Sequence, residues 1–314
     1  MPHRRRCPEP GHPEMSGSRT ASCQNDRVTF QGSGSIGTGN VSGGGGGGGG
    51  VGRIALGGGA GLIITIVALL FGVNPGELLG SQAPQQGTSS DAAEIQQQLD
   101  SCTWEMANEN TICRIKATTV SLDEVWSELM PGYQPPKTVI FADSVNTGCG
   151  AASAATGPFY CPADRTAYFD PSFFTQLRRM GGSDGPLAQE YVVAHEYGHH
   201  VQNLTGALAK GQRMGSQGPR SGSVRVELQA DCLAGVWAQH ADNGPDALLA
   251  PISEQQIATV IQTAKAIGDD TIQGPGSNPE GWTHGSATQR AKWFGIGYQS
   301  GDPNRCDTFA TNDL

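Results

Sequence analysis

Apolar residues recur at helical spacing through the second half of the chain. Leu187, Tyr191 and Ala194 fall on one face of a helix. Proline suits the first turn of a helix, and glycine suits the position just after its end. The pattern therefore predicts one amphipathic helix that begins at Pro186 and ends before Gly206.

Three more helices are predicted after it. Residues 223–240 lack proline and carry apolar residues at helical spacing. Ser253 with Gln256, and Ser286 with Gln289, match the capping box, in which each side chain bonds the main-chain N–H of the other residue. Apolar residues at helical spacing follow both pairs, so each pair predicts the start of a helix.

Strands are predicted in the part of the chain before these helices. Residues 138–141 (TVIF) and 166–169 (TAYF) are β-branched and aromatic runs, which are typical of strands. Ser121 with Glu124 fits another capping box and predicts a short helix that ends at Pro131. The predicted fold class is α+β and mostly helical.

The chain before these elements divides into a tail, an apolar segment and a linker. Residues 1–50 are rich in Arg, Ser and Gly and are predicted to be a disordered tail. Residues 51–75 include Ile54–Phe71, 18 residues without a charge, which is just enough for one membrane-spanning helix. A cleaved signal peptide fits less well, because the segment starts far from the N-terminus. A polar linker at 76–100 then leads to the folded domain, predicted at 101–314.

Charge is distributed unevenly on either side of the apolar segment. Residues 1–53 hold six basic and three acidic residues, whereas residues 77–314 hold 14 basic and 26 acidic residues. Because positive residues favour the cytoplasmic side, the sequence predicts a single-pass protein of the cell membrane with a cytoplasmic N-terminus and an extracytoplasmic domain. The acidic balance of that domain argues against a nucleic-acid partner.

The cysteines fit this orientation. Cys7 and Cys23 lie in the predicted cytoplasmic tail and are expected to be reduced. The other six lie beyond the apolar segment, where disulfides persist, and six cysteines allow 15 pairings. The expected pairs are two local loops and one link from the C-terminus to the core: Cys149–Cys161, Cys102–Cys113 and Cys232–Cys306.

The helix predicted to begin at Pro186 carries an H-E-x-x-H motif at 195–199. His195 and His199 lie about 40° apart around a helix, so both imidazoles can reach one Zn2+. Glu196 can take a proton from a metal-bound water. The alternative is a chance match to a short pattern, because three fixed residues do not exclude it.

A catalytic zinc needs a third protein ligand and one open position. The extended H-E-x-x-H-x-x-G-x-x-H pattern fails, because Gln202 and Thr205 occupy its later positions. The other route is a carboxylate from residues 223–240, with Glu227 as the ligand and Asp231, one turn later, as the group that fixes a histidine tautomer. An isolated E-x-x-x-D pair is normally a solvated helix face. Here the apolar neighbours indicate burial, and two buried carboxylates without a cation are costly.

Amide hydrolysis also needs a group near the metal that stabilises the oxyanion. His284 is the first candidate for this catalytic role, followed by Arg290 and Tyr160. His200 points about 100° away from the second motif histidine and is predicted not to be a ligand. Residues 166–169 could pair with an extended substrate through main-chain hydrogen bonds, although an ordinary core strand explains them equally well.

Six motifs of this chain together resemble one bacterial family, the putative neutral zinc metallopeptidases, whose members have one N-terminal membrane helix after a Gly-rich tail. The motifs are GPFYCPAD, YVVAHEYGHHVQNLTG, VELQADCLAG, AIGDD, THGSATQR and a closing CDTF. The likeness runs from about Arg53 to Phe309. It implies a zincin-like peptidase domain with the gluzincin arrangement, in which Glu196 is the general base and the zinc ligands are His195, His199 and Glu227.

The resemblance includes part of the cysteine pattern. The cysteines that match the family are Cys149, Cys161, Cys232 and Cys306, which supports two of the three expected disulfides. Cys102 and Cys113 look like additions, and the tail before Val51 departs from the usual form of the family.

The sequence therefore predicts a membrane-anchored, zinc-dependent endopeptidase with one catalytic Zn2+ and a peptide or protein substrate. One alternative is a non-catalytic, zinc-stabilised binding module, which needs the metal ligands but not the base Glu196. Another is a cell-envelope assembly factor, which would depend on the Gly-rich tail and the anchor.

Overall fold

The computed structural model describes residues 29–37, 39–44, 89–244 and 247–314. These residues form a mixed α+β fold that is about 54% helical, in agreement with the predicted class. The predicted membrane helix at 51–75 lies outside the described residues, as do most of the tail and the linker. None of the helices in the described ranges combines the length and the apolar character needed to cross a bilayer.

Strands and helices are mixed along the described chain. The strands are β1 (Val41–Gly44), β2 (Lys137–Phe141), β3 (Ser144–Thr147), β4 (Gly150–Ser153), β5 (Phe159–Cys161) and β6 (Thr166–Phe169). The helices are α1 (Ser89–Ser101), α2 (Trp104–Ala107), α3 (Thr111–Leu129), α4 (Phe173–Arg179), α5 (Pro186–Thr205), α6 (Ala207–Gln212), α7 (Gly222–Ala241), α8 (Glu254–Ala266), α9 (Asp269–Ile272) and α10 (Ala287–Ser300). Short 3-10 turns lie at Ala154–Thr156, Pro279–Gly281 and Pro303–Cys306.

Local sequence signals set the ends of the long helices. α5 begins at Pro186 and is followed by Gly206, whose φ of 79° is the left-handed conformation that favours glycine. Ser253 and Ser286 form the predicted capping boxes at the starts of α8 and α10. The predictions for these three helices are confirmed to within one or two residues.

The helix predicted to start at Ser121 is wrong in its start. α3 begins ten residues earlier, at Thr111, because the side chain of Asn110 accepts a hydrogen bond from the N–H of Cys113 and caps the helix there. Ser121 lies inside α3, where its Oγ accepts a hydrogen bond of 3.1 Å from Nε1 of Trp237. Its hydroxyl therefore joins α3 to α7 and does not cap a helix.

The main sheet has four described strands in the order β1-β2-β6-β5. β2 is parallel to both β1 and β6, whereas β5 is antiparallel to β6. The main chain of residues 166–169 is thus paired with a neighbour on each side, and the suggestion that this strand pairs with an extended substrate is wrong. The other interpretation, an ordinary core strand, is the one the structure supports.

Close helix packing brings the two chemically important helices together. α7 packs against both α5 and α10. A Cβ on Gly198, inside the H-E-x-x-H motif, would lie 3.1 Å from Cα of Ala230 on α7. A Cβ on Gly297 of α10 would lie 1.9 Å from the carbonyl oxygen of Cys232. Both glycines let helix backbones approach so closely that side chains on facing helices can share one site.

The prediction of a disordered tail over residues 1–50 does not hold for residues 29–37 and 39–44. Phe30 and Ile36 are buried, with 2% and 1% of their surfaces exposed, and β1 pairs with β2. The side chain of Asn108 accepts hydrogen bonds from the N–H groups of Thr29 and Phe30 and donates one to the carbonyl of Phe30. The sequence did not predict this packing, because the segment is rich in glycine and its partners lie far away in sequence.

All three expected disulfides are present: Cys102–Cys113, Cys149–Cys161 and Cys232–Cys306. The last one closes a loop with a sequence separation of 74 and ties α7 to the 3-10 turn at Pro303–Cys306. A disulfide across a loop of this length typically contributes about 2–4 kcal/mol to stability.

Candidate metal centre

The two motif histidines lie one turn apart on α5. Their ring centroids are 4.8 Å apart, and the rings are almost perpendicular, at 83°. Both side chains are buried, since His195 is 7% and His199 is 3% exposed. The helical spacing therefore brings the two imidazoles together, as the motif predicts.

Glu227 reaches these histidines from α7. Its Oε2 lies 3.2 Å from Nε2 of His195, and its Oε1 lies 3.4 Å from Nε2 of His199. One ligand atom from each of the three residues lies within 4.8 Å of the others. Two imidazole nitrogens and one carboxylate oxygen are a donor set that suits a catalytic Zn2+.

The second nitrogen of each histidine is held by a neighbouring acceptor. Nδ1 of His195 donates to Oδ1 of Asp231 over 2.9 Å, as expected for the residue that fixes the tautomer. Nδ1 of His199 donates to Oε1 of Gln202, also over 2.9 Å. When both rings are neutral, this arrangement leaves the Nε2 lone pair of each free to face a metal ion.

The contribution of Gln202 was missed by sequence reasoning. Gln202 had been considered only as a position where the extended zinc motif fails. Its amide Nε2 donates to the carbonyl of Val226 and to Oε1 of Gln229, which leaves Oε1 as the acceptor for His199. Its place three residues after His199, on the same helix face, is the signal that could have revealed it.

Asp231 is the centre of a buried hydrogen-bond network. Its side chain is fully buried and accepts from the Tyr191 hydroxyl over 2.6 Å and from Nε and Nη2 of Arg290 over 2.9 Å each. Burial alone would raise the pKa of Asp231, but Arg290 and His195 hold that pKa below its usual range. Arg290, a weaker candidate for the oxyanion role, is thus committed to Asp231.

The electrostatics of the three donors favour a positive charge between them. Burial would raise the pKa of Glu227, but His199 and His195 outweigh it and hold the pKa below its usual range. Burial would lower the pKa of His195, but hydrogen bonds to Asp231 and Glu227 raise it to about 10. A cation placed at this point would replace the charge of the bound proton.

Glu196 lies next to this cluster and is free to accept a proton. Its side chain is 7% exposed, and its carboxylate makes no hydrogen bond to any described residue. Burial raises the pKa of Glu196, although the nearby imidazoles of His199 and His195 oppose that shift. A carboxylate with this freedom beside a metal site suits a general base.

His284 approaches the cluster from the turn before α10. It is close enough to Glu227 to help lower the pKa of that carboxyl. Its Nδ1 lies 3.2 Å from Oδ1 of Asp269 and 2.9 Å from Oγ1 of Thr283. Oδ2 of Asp269 also accepts the main-chain N–H groups of Thr283, His284 and Gly285. Asp269 therefore fixes both the backbone and the ring of His284, a role that the sequence had not indicated.

Comparison with known proteins adds to this geometry. A family model for "Putative neutral zinc metallopeptidase" matches residues 28–309. The chain belongs to this family. The recognition made from the sequence motifs is thereby confirmed, and the matched region includes the docked N-terminal segment from Thr29 onward.

Relatives of this metallopeptidase-family chain occur in Mycobacterium tuberculosis and Escherichia coli. It is 51% identical over 257 residues to the uncharacterized protein Rv2575 of Mycobacterium tuberculosis. The aligned region covers 79% of this chain and 86% of that protein. It is 36% identical over 256 residues to the uncharacterized protein YpfJ of Escherichia coli K12. The aligned region covers 79% of this chain and 85% of that protein. No solved structure matches the chain.

Tyr160 and His200 form a separate pair in this family member. The Tyr160 hydroxyl lies 2.9 Å from Nδ1 of His200 and accepts a hydrogen bond of 2.9 Å from Asn203. Nε2 of His200 donates to the carbonyl of Gln134 over 2.7 Å. Both nitrogens of His200 are thus used, as expected for a non-ligand. Tyr160, the third candidate for the oxyanion role, is fully buried, and its hydroxyl contacts His200 and Asn203.

Proposed function

We propose that this protein is a zinc-dependent endopeptidase with a zincin-like domain of the gluzincin type. The ligands of the single zinc are His195, His199 and Glu227. The observation that carries the proposal is the convergence of three buried donors, with Nε2 of both imidazoles directed at the Glu227 carboxylate. The carboxylate of Glu196, which makes no hydrogen bond to any described residue, lies beside them. The substrate is a peptide or protein.

Four residues besides the metal ligands have separate roles in the proposed peptide hydrolysis. A zinc ion at this site would polarise the scissile carbonyl and lower the pKa of a water. Glu196 accepts the proton of the attacking water and later delivers it to the leaving amine. His284, whose ring is held by Thr283 and Asp269, donates its Nε2–H to the oxyanion. Asp231 and Gln202 keep the ligand histidines in the required tautomer.

The free carboxylate of Glu196 separates this proposal from a non-catalytic binding module. Such a module needs the three metal ligands, but it has no use for a proton acceptor beside them. Membrane attachment through residues 51–75 stays a prediction, because those residues lie outside the described ranges.

A peptide-library digest tests the proposal. The zinc-loaded full-length chain should cleave peptides, and mass spectrometry should detect the new termini. Glu196→Gln should reduce cleavage at least about 100-fold by removing the base, and His284→Ala should reduce kcat about 100- to 1,000-fold by removing an oxyanion donor. Both variants should keep their zinc.

Glu94→Gln is the matched control, because Glu94 is an exposed carboxylate on α1. It should cleave like the wild type. Wild-type cleavage by Glu196→Gln would contradict the assigned base, and absence of cleavage by the zinc-loaded wild type would contradict the peptidase function.

A further inference from the structure

A small apolar cavity adjoins the metal centre. Two metal ligands line it, His199 and Glu227. Its other walls come from α6 and the start of α7, including Leu208, Gly211, Ser223 and Val226. Because two metal ligands form part of its wall, a substrate held at the metal would lie beside the cavity.

The size of the cavity limits what can enter it. Its volume is about 40 Å³, against roughly 150 Å³ for an apolar cavity that holds one benzene molecule. Only a small aliphatic group matches this size, such as the methyl of alanine or at most the isopropyl of valine, and an indole ring is far too large.

Close backbone packing fixes the walls of the cavity. A Cβ on Gly211 would lie 2.5 Å from Cγ2 of Val226 and 3.1 Å from the carbonyl oxygen of Gly222. Leu208 is 6% exposed and adds an apolar side chain from the same helix. Because α6 and α7 are in direct contact here, the cavity of the wild-type chain can widen only if a helix moves.

We propose that this cavity binds a small aliphatic side chain of the substrate next to the scissile bond, and that Val226 and Ser223 determine the size it accepts. This inference rests on the proposed peptidase function, because the substrate is positioned by the metal. Two substrates that differ by one methylene in an apolar pocket are typically discriminated about 10- to 200-fold.

A series of metal-binding hydroxamates tests the inference by affinity alone. Acetohydroxamate and the hydroxamates of glycine, valine and tryptophan are titrated calorimetrically into the zinc-loaded full-length chain. Valine hydroxamate should bind at least about tenfold more tightly than glycine hydroxamate. Tryptophan hydroxamate should bind more weakly than valine hydroxamate, because the indole does not fit.

Two variants with opposite effects make the test specific. Ser223→Leu fills the cavity and should abolish the preference for valine over glycine. Val226→Ala enlarges it and should improve the binding of tryptophan hydroxamate relative to valine hydroxamate. Ser101→Leu, at an exposed position on α1, is the matched control and should leave the series unchanged.

The outcomes separate the two claims. If acetohydroxamate binds while the three amino-acid hydroxamates bind alike, the cavity is not a side-chain site and the inference is overturned, although the accessible metal stands. If acetohydroxamate itself does not bind, the metal is not reachable, and the proposed function and this inference both fail.

The docked N-terminal segment carries a second, independent inference. β1 lies beside β2 in parallel, and the N–H of Gly43 donates to Oε1 of Gln96 on α1 over 3.1 Å. A Cβ on Gly43 would lie 2.5 Å from the carbonyl oxygen of Ala92. Residues 41–44 are therefore packed against both β2 and α1 of the domain.

The start of the segment is anchored as well. The Thr29 hydroxyl donates to Oε1 of Glu190 on α5, and Asn108 holds both polar main-chain groups of Phe30. The predicted orientation would put residues 41–44 and 137–141 on opposite sides of a bilayer, although they pair in one sheet. We infer that residues 29–44 share one compartment with residues 89–314, whatever path residues 45–88 take.

Cysteine labelling in intact cells tests this inference. In full-length chains with Cys7 and Cys23 replaced by serine, Gly37→Cys and Gly281→Cys place a thiol at two exposed positions where a Cβ meets no atom within 4 Å. A membrane-impermeant maleimide should either label both thiols in intact cells or label both only after the cells are permeabilised. Labelling of one thiol in intact cells and of the other only after permeabilisation would overturn the inference.

Discussion

Single side chains determine whether the site can hold a metal. The histidines are useful as ligands only because Asp231 and Gln202 take the protons on Nδ1 and leave Nε2 free. The Asp231 contact followed from the sequence, because a carboxylate one turn from a ligand is a common orienting group. The Gln202 contact did not, because an amide on the same helix has many other uses.

Removing the Gln202 acceptor should weaken metal binding. In Gln202→Met the shape of the side chain is kept, but His199 loses the partner of its Nδ1–H. We expect zinc affinity to fall about 10- to 100-fold, as is usual for such orienting contacts. Competition with a chelator measures it. Gln229→Met removes another partner of the Gln202 amide but keeps the acceptor for His199, so it should retain most of the affinity; equal losses in both variants would argue against the orienting role.

Glu190 should give stability a specific pH dependence. Burial raises the pKa of this carboxyl to about 7, well above the usual 4.5 of a glutamate, although Thr29 and Arg114 oppose the shift. A raised folded-state pKa favours the neutral form, so its contribution is complete below the unfolded value and is lost as pH rises through about 7. The size of this effect is up to about 3 kcal/mol.

The variant Glu190→Gln isolates that contribution. The thermal unfolding midpoint of the wild type should fall more between about pH 5 and about pH 8 than that of the variant. Asp123, whose pKa burial also raises to about 7, is present in both proteins, so the difference between the two curves reports Glu190 alone. Parallel curves would contradict the assignment.

Elements with strong local signals could be placed from the sequence. Pro186 and Gly206 bound the metal-binding helix, and two capping boxes start α8 and α10. β1 could not be placed, because its four residues are mostly glycine and serine and its partner β2 lies almost 100 residues later. The α3 start was missed because two capping signals compete, and the fold uses Asn110.

The N-terminal segment should contribute measurably to stability. Phe30 is 2% exposed and packs against Trp104, with ring centroids 5.7 Å apart. Phe30→Ala should cost about 3–5 kcal/mol of unfolding free energy, the usual range for a buried phenylalanine. Chemical denaturation of the full-length chain measures this. Gly37→Ala, at an exposed position, is the control and should change little; an equally small change in Phe30→Ala would show that the segment is not docked.

At the scale of the whole molecule, the candidate site depends on contacts among three helices that are distant in sequence. α5 supplies two histidines and a base, α7 supplies Glu227 and Asp231, and α10 supplies Arg290, which neutralises Asp231. The residue types and their spacing indicated the metal chemistry. The close approach at Gly198 and Gly297 that brings these helices together required the structure.

The central claim is that three residues of this chain hold one zinc. It is tested most directly by the metal content of the purified full-length protein, measured by mass spectrometry beside Glu227→Ala and Glu196→Gln. We expect about one zinc per chain in the wild type and in Glu196→Gln, and loss of most of it in Glu227→Ala. A folded wild-type chain without zinc, or undiminished zinc in Glu227→Ala, would contradict the three-ligand site.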